Sequence, residues 1–192
     1  MRVSVLGCGR WGSFHAWYAA RVGHAVTLWG RAHSAHLKEL RATRTNEFLM
    51  LPEDIRLTDD LAEAVRVAEI VIISIHAQAL RSFLRDLCAC GLGGTMAEKT
   101  IILCMKGLEI GTGKRLSTVV HEELGDDVHP VVWVGPGHVQ DFVRGIPNCM
   151  VLAGEDRDAL QGLVDALGSP FIRFYYGEDL LGTEVGAAAK NV

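Results

Sequence analysis

Arg2-Val3-Ser4-Val5-Leu6, followed at once by Gly7-Cys8-Gly9-Arg10-Trp11-Gly12, decides the fold of this chain. The first five residues read as a buried strand and the next six as a glycine-rich turn that opens a helix. In this spacing Gly7 permits the tight turn, Gly9 lets a pyrophosphate approach the main chain, and Gly12 lets the helix pack closely on the strand. A phosphate would sit at the helix N-terminus, where unpaired N–H groups and the helix dipole favour an anion. Glycines at this spacing are common in ordinary turns. A strand before them and a helix after them make the pattern a dinucleotide-binding signal.

Outward from that turn, apolar spacing predicts a helix over Arg10–Val22, ended by Gly23, and a second strand over His24–Trp29. Strand, helix and strand of these lengths make a parallel βαβ unit. A site that binds the ribose hydroxyls of NAD usually carries Asp or Glu at the end of the second strand. Here the residues are Gly30-Arg31-Ala32-His33-Ser34, without a carboxylate. Arg31 can hold a 2′-phosphate and stack on adenine, so NADP is favoured over NAD, with a solvated surface arginine as the plain alternative.

Further along, Ser34 is placed to cap a helix reaching Arg44, Glu47–Thr58 reads as an irregular connection, and Asp59 as the cap of a helix over Asp60–Val67. Glu69–Ile75 and Thr100–Cys104 are apolar, β-branched runs typical of strands covered on both faces. Between them stand a predicted helix over Gln78–Cys90 and a loop from Gly91 to Thr95. A helix over Lys114–Leu124 leads to a strand at Val131–Val134. Strands at Cys149–Ala153 and Phe171–Tyr175 flank a helix over Arg157–Leu167, and Glu178–Val192 reads as a last helix. The expected architecture is α/β, a doubly wound, mostly parallel, Rossmann-like sheet over residues 1–177. Residues 178–192 are then expected to be the first helix of a truncated helical domain, because no glycine or proline stop follows Lys190-Asn191-Val192.

Bulk properties narrow the function. The 192 residues are 49% hydrophobic and 22% charged with a net charge of −4, so no basic field invites nucleic acid or an anionic membrane surface. No apolar run approaches the ~20 residues of a membrane span, and the N-terminus already belongs to a strand, so the expected compartment is the cytoplasm. The five cysteines (Cys8, Cys88, Cys90, Cys104 and Cys149) never form a CxxC pair and are expected to be buried, reduced thiols. The eight histidines lack metal-ligand spacing, so no metal is expected. His76 and His138 fall at predicted strand ends, where a hydrogen-bonded structural role and contact with a ligand are both open. Asp59-Asp60 and Asp126-Asp127 are expected to be caps and solvated turns.

Taken in order, GCGRWG, LWGR, HAQALR, MKGLE, VGPGHV and EVGAAAKNV resemble NAD(P)-dependent glycerol-3-phosphate dehydrogenase of the bacterial type, over nearly the whole chain. The resemblance implies cofactor contacts at Arg10, Trp11, Arg31 and, near the nicotinamide, Val139. It implies that Lys106 touches both cofactor and substrate, that Gly135 and Gly137 lie in a substrate loop, and that Lys190 is the catalytic lysine. Position alone would make Lys190 a solvated helix-end lysine. The implied partner is a small phosphorylated substrate, and the implied place is a step feeding phospholipid synthesis.

The sequence departs from the family pattern in three places. Gly137 stands where Ser or Thr is common, His138 where Phe is usual, and His76-Ala77 where Pro-Ser is common. The family also continues into a helical domain carrying an Arg-Asn pair for the substrate phosphate, which this sequence lacks, so the chain is expected to be inactive as given. Reduction of dihydroxyacetone phosphate needs hydride delivery to C2 and a proton for the developing alkoxide. A lysine serves as that acid only if burial or a neighbouring cation lowers its pKa, and Lys106 is expected to act as such a neighbour for Lys190. The alternatives are a non-catalytic NADP-binding or redox-sensing module, or a related reductase of 2-keto or 3-hydroxy acids. Exposed Trp and Phe on a severed face would promote self-association.

Overall fold

A computed structural model describes residues 1–190; Asn191 and Val192, which end the last of the motifs quoted above, lie outside the described residues. The first half of the chain runs β1 (Arg2–Leu6), α1 (Arg10–Arg21), β2 (Ala25–Trp29), α2 (Ala35–Thr43), β3 (Arg56–Thr58), α3 (Leu61–Val67), β4 (Ile70–Ile73) and α4 (Leu80–Ala89). The second half runs β5 (Thr100–Leu103), α5 (Leu116–Leu124), β6 (Val131–Val134), α6 (Val139–Val143), β7 (Asn148–Ala153), α7 (Arg157–Leu167), β8 (Ile172–Gly177) and α8 (Leu180–Ala189).

The strands form one sheet in the order β3-β2-β1-β4-β5-β6-β7-β8. The first six are parallel, β7 is antiparallel to β6, and β8 is parallel to β7, so the last two strands run against the rest. Alternation along the strands divides the core in two. Val3, Val5, Ile70, Ile72, Ile102 and Trp133 point to one layer, which α1, α2, α6 and α7 cover. Leu6, Val71, Ile73, Ile101, Leu103 and Val132 point to the other, under α3, α4, α5 and the start of α8. This is the doubly wound arrangement expected from apolar runs without alternation, since both faces of the central strands are buried.

Several local expectations need correction. Asp60, not Asp59, caps α3 by accepting from Glu63 N at 2.9 Å, while Asp59 pairs with Arg41 at 2.7 Å. The connection before α3 contains the edge strand β3, paired only with Thr27–Trp29 of β2. The stretch after Gly137 forms the short helix α6, and the Gly91–Thr95 loop runs into a 3-10 helix over Gly93–Glu98. Cys8 is buried, but Cys88 and Cys90 are exposed where α4 ends, and all five thiols are free. Among the described residues no Trp or Phe is strongly exposed; the large apolar side chains at the surface include Ile110, Ile146, Tyr175, Leu181 and Val185. No described helix is long and apolar enough to cross a membrane.

Candidate active site

A cleft of about 1110 Å³ opens along the carboxyl ends of the parallel strands, at the switch point where the chain turns from β1 outward to β2 on one side and β4 on the other. The glycine turn forms its floor. Gly7 has φ +121°, and a Cβ there would lie 2.1 Å from Ser74 O at the end of β4, so only glycine fits by both conformation and contact. A Cβ on Gly12 would lie 1.7 Å from Gly7 O; Gly12 does not line the cleft and serves the close seating of α1 on the turn. Gly9 has open space where its side chain would be and lines the cleft as the N-cap of α1, without any side-chain cap. An uncapped helix start facing a cleft through a glycine is a cradle that fits a pyrophosphate.

Beyond β2, Arg31, Ser34 and His36 line the end of the cleft where the ribose of a bound dinucleotide would lie. Ser34 Oγ accepts from Leu37 N at 3.4 Å, as expected of the cap of α2. Arg10 sits over the Phe48 ring at 4.3 Å and donates to Gln140 of α6, bridging the cleft mouth, with Trp11 beside it in the lining.

At the other end, Lys106 follows β5 and donates from Nζ to Gly135 O at 3.0 Å, joining the loops after β5 and β6. Lys190 lines the same cleft from the end of α8. Burial, and then the nearby Lys190 ammonium, hold the Lys106 ammonium below the usual lysine pKa. The half-buried member of the pair is Lys106, whereas Lys190 is exposed.

The glycines of the β6 loop are closely packed against side chains of the core. A Cβ on Gly135 would meet Met150 Sδ at 2.5 Å, and one on Gly137 would meet the Phe142 ring at 2.3 Å. The ring of Phe142, stacked on Phe14 at 5.0 Å, fills the place a Ser or Thr side chain would take at position 137. Val139 is fully buried in the core and is not among the residues lining the cleft, so its side chain makes no contact there. His76 and His138 both line the cleft, exposed and without side-chain hydrogen bonds among the described residues, which removes the structural role held open for them.

Sequence reasoning missed His15 and Trp133. Both line the cleft floor with ring centroids 4.6 Å apart, and His15 Nδ1 and Trp133 Nε1 are buried without a hydrogen-bond partner. Burial pushes the His15 pKa down to about 3, so its ring is neutral. Helical phase could have found it, because residue 15 lies one turn beyond Trp11 and Gly12 on the face turned to the glycine loop.

Among the described residues, the cleft lining holds Arg10, Arg31, Lys106 and Lys190 with four histidines and no Asp or Glu, although the chain carries a net charge of −4. No group of three or more His, Cys, Asp or Glu among them is placed to hold a metal ion.

Residues 2–160 match the family model described as the N-terminus of NAD-dependent glycerol-3-phosphate dehydrogenase. Relatives similar over the chain include a glycerol-3-phosphate dehydrogenase [NAD(P)+] of Rhodopseudomonas palustris (strain BisB5), 39% identical over 99% of this chain and 56% of its own length. Another is that of Thermoanaerobacter sp. (strain X514), 37% identical over 100% and 57%. A crystal structure of glycerol-3-phosphate dehydrogenase from Coxiella burnetii superposes with TM-score 0.87 at 26% identity, covering 99% of this chain and 57% of that one. The UDP-glucose dehydrogenase of Pyrobaculum islandicum shares the fold at TM-score 0.70 and 18% identity, over 96% of this chain and 48% of its own. The chain thus spans a little over half the length of the curated relatives it matches.

Proposed function

The chain belongs to the NAD-dependent glycerol-3-phosphate dehydrogenase family, and from that premise we propose that it forms the dinucleotide-binding part of an oxidoreductase interconverting sn-glycerol 3-phosphate and dihydroxyacetone phosphate. The observation that carries this reading is the cleft lined, among the described residues, by four cationic side chains and no carboxylate, with an uncapped helix at one end and two lysines at the other. A dinucleotide and a phosphorylated triose are both anions, and such a lining draws both.

Gly7 and Gly9 build the pyrophosphate cradle, Gly12 seats α1 against the turn, Arg10 and Trp11 flank the cradle, and Arg31 would face the 2′-phosphate of NADP, favouring it over NAD. A bound nicotinamide would supply the hydride. Lys106 holds the carbonyl and the negative charge that develops on its oxygen, and the main chain of Gly135 and Gly137 borders the substrate. Lys190 delivers the proton to the alkoxide and takes it back in the oxidative direction. Val139 contributes its main chain beside the nicotinamide. Residues 178–190 form the junction from which a substrate domain of the kind implied by the family would continue.

Arg31→Ala should weaken NADPH much more than NADH, measured by quenching of tryptophan fluorescence on titration. Equal losses would contradict the 2′-phosphate contact. Failure of the unaltered chain to bind either nucleotide would remove the dehydrogenase reading itself. Binding without oxidation of NADPH by dihydroxyacetone phosphate would support the second reading, a non-catalytic NADP-binding module.

A further inference from the structure

The two segments that bring lysines to the cleft are fastened together on the side away from it. Glu184 is the acidic residue of α8, 6% exposed in a helix otherwise built of Leu, Gly, Thr, Val and Ala. Its carboxylate accepts from Ser117 N at 2.9 Å, from Ser117 Oγ at 2.5 Å, and from the Arg115 guanidinium at 2.9 Å. These groups begin α5, whose N-cap residue, Arg115, makes no side-chain cap. A helix start carries unpaired N–H groups that need an acceptor. The carboxylate of α8 therefore supplies the cap that the sequence of α5 omits.

The same clasp reaches both lysines. Arg115 pairs with Leu108 in an isolated antiparallel bridge, which closes the loop beginning at Lys106. Lys190 lies six residues beyond Glu184, about 9 Å along the helix axis and roughly 240° around it. Glu184 thus grips α5 on one side of α8 while Lys190 leaves another side toward the cleft. The alternative, a carboxylate that merely stabilises the packing of α8, predicts no effect on the state of Lys106.

We propose that Glu184 is a positioning residue, which caps α5 from α8 and so sets the spacing of the Lys106 and Lys190 ammonium groups. This deepens the dehydrogenase reading, and rests on it for the chemistry those ammonium groups perform, but its test requires no turnover. The chain has five lysines, few enough to follow individually by NMR after reductive ¹³C-methylation, with Lys106→Arg to assign the signal. The other titratable groups lining the cleft include His15, His76, His138, Arg10 and Cys104, besides Lys190. Burial holds the Cys104 thiol well up.

Lys106 should titrate below the other lysines, and Lys190→Met should shift it upward. Glu184→Ala should shift it upward as well, with circular dichroism unchanged. Glu184→Gln, which keeps an acceptor for Ser117 N, should shift it less, and carries the test alone if the alanine variant does not fold. An unmoved Lys106 titration in Glu184→Ala, or in Glu184→Gln where only that variant folds, overturns the proposal. So does an unmoved titration in Lys190→Met. NADPH titration of the unaltered chain separates the outcomes: its failure removes the dehydrogenase reading and leaves the clasp standing.

Discussion

At the scale of single residues, the opening turn separates folding from binding within three positions. Gly7→Ala puts a Cβ 2.1 Å from Ser74 O in a backbone at φ +121° and should destabilise by roughly 3 kcal/mol or more. Gly9→Ala meets nothing within 4 Å at an ordinary φ of −76°, so thermal stability should change by no more than about 0.5 kcal/mol. Its methyl enters the cradle and should weaken NADPH by on the order of tenfold. Melting curves with nucleotide titrations check both; an unstable Gly9→Ala or a stable Gly7→Ala would reverse the assignment. These roles were legible because glycine spacing states a backbone requirement directly. His15 was not, because its character comes from the burial around it. The unfolded chain binds a proton on this ring near pH 6.5, while the folded chain refuses it until about pH 3. Stability from the neutral ring is therefore complete above pH 6.5 and is lost as pH falls toward 3, by on the order of 5 kcal/mol in all. The carboxylates paired with arginines add their own acid limb, so the difference between His15→Leu and the unaltered chain isolates the histidine. Unfolding free energies from urea titrations should lie about 2 to 3 kcal/mol closer to their neutral-pH value for His15→Leu by pH 4.5, and parallel acid limbs would refute this.

At the scale of elements, the five central strands were legible because burial on both faces leaves a run of Val, Ile and Leu without alternation, as at Ile70–Ile73. β3 escaped because three residues, Arg56-Leu57-Thr58, are too few to carry any period. The reversed direction of β7 escaped because orientation is set by the length and path of the connection, not by the residues of the strand. The anchoring of the loop between β5 and α5 escaped as well, since its partners are distant in sequence. Arg81 of α4 holds Glu109 through two bonds at 2.7 and 2.8 Å, and also Glu122 at 2.7 Å and Glu123 at 2.6 Å. Gln78 adds bonds to Leu108 O at 2.9 Å and from Ile110 N at 2.8 Å. Arg81 holds the Glu109 carboxyl down at about 2, with Thr112 adding to the shift, so the pair survives mild acid and weakens only as pH falls from the usual carboxylate range toward that value. The loop needs such mooring, because Gly107, Gly111 and Gly113 all have positive φ and glycines resist ordering. Arg81→Gln should leave the sheet intact yet raise hydrogen exchange across residues 106–114 and weaken NADPH. Unchanged exchange in that segment by mass spectrometry would show that the glutamates do not hold the loop.

At the scale of the whole molecule, 23 acidic and 19 basic residues are sorted rather than mixed at the cleft. Carboxylates such as Glu109, Glu123 and Glu184 are spent on arginines behind the cleft, while Arg10, Arg31, Lys106 and Lys190 face into it. The net charge of −4 predicts that anions are repelled at long range, whereas the lining predicts that they are attracted once inside. Salt decides between these, because a Debye length of about 10 Å at 0.1 M screens exposed charges across a wide cleft. If the lining governs, NADPH affinity should fall as salt rises from 50 to 500 mM, and it should fall more steeply than that of NADH, which lacks the 2′-phosphate. In Arg31→Ala the two slopes should converge, since the side chain that distinguishes them is gone. Affinities that rise with salt would mean that the net charge dominates. Slopes that stay apart without Arg31 would mean that another cation in the lining carries the 2′-phosphate.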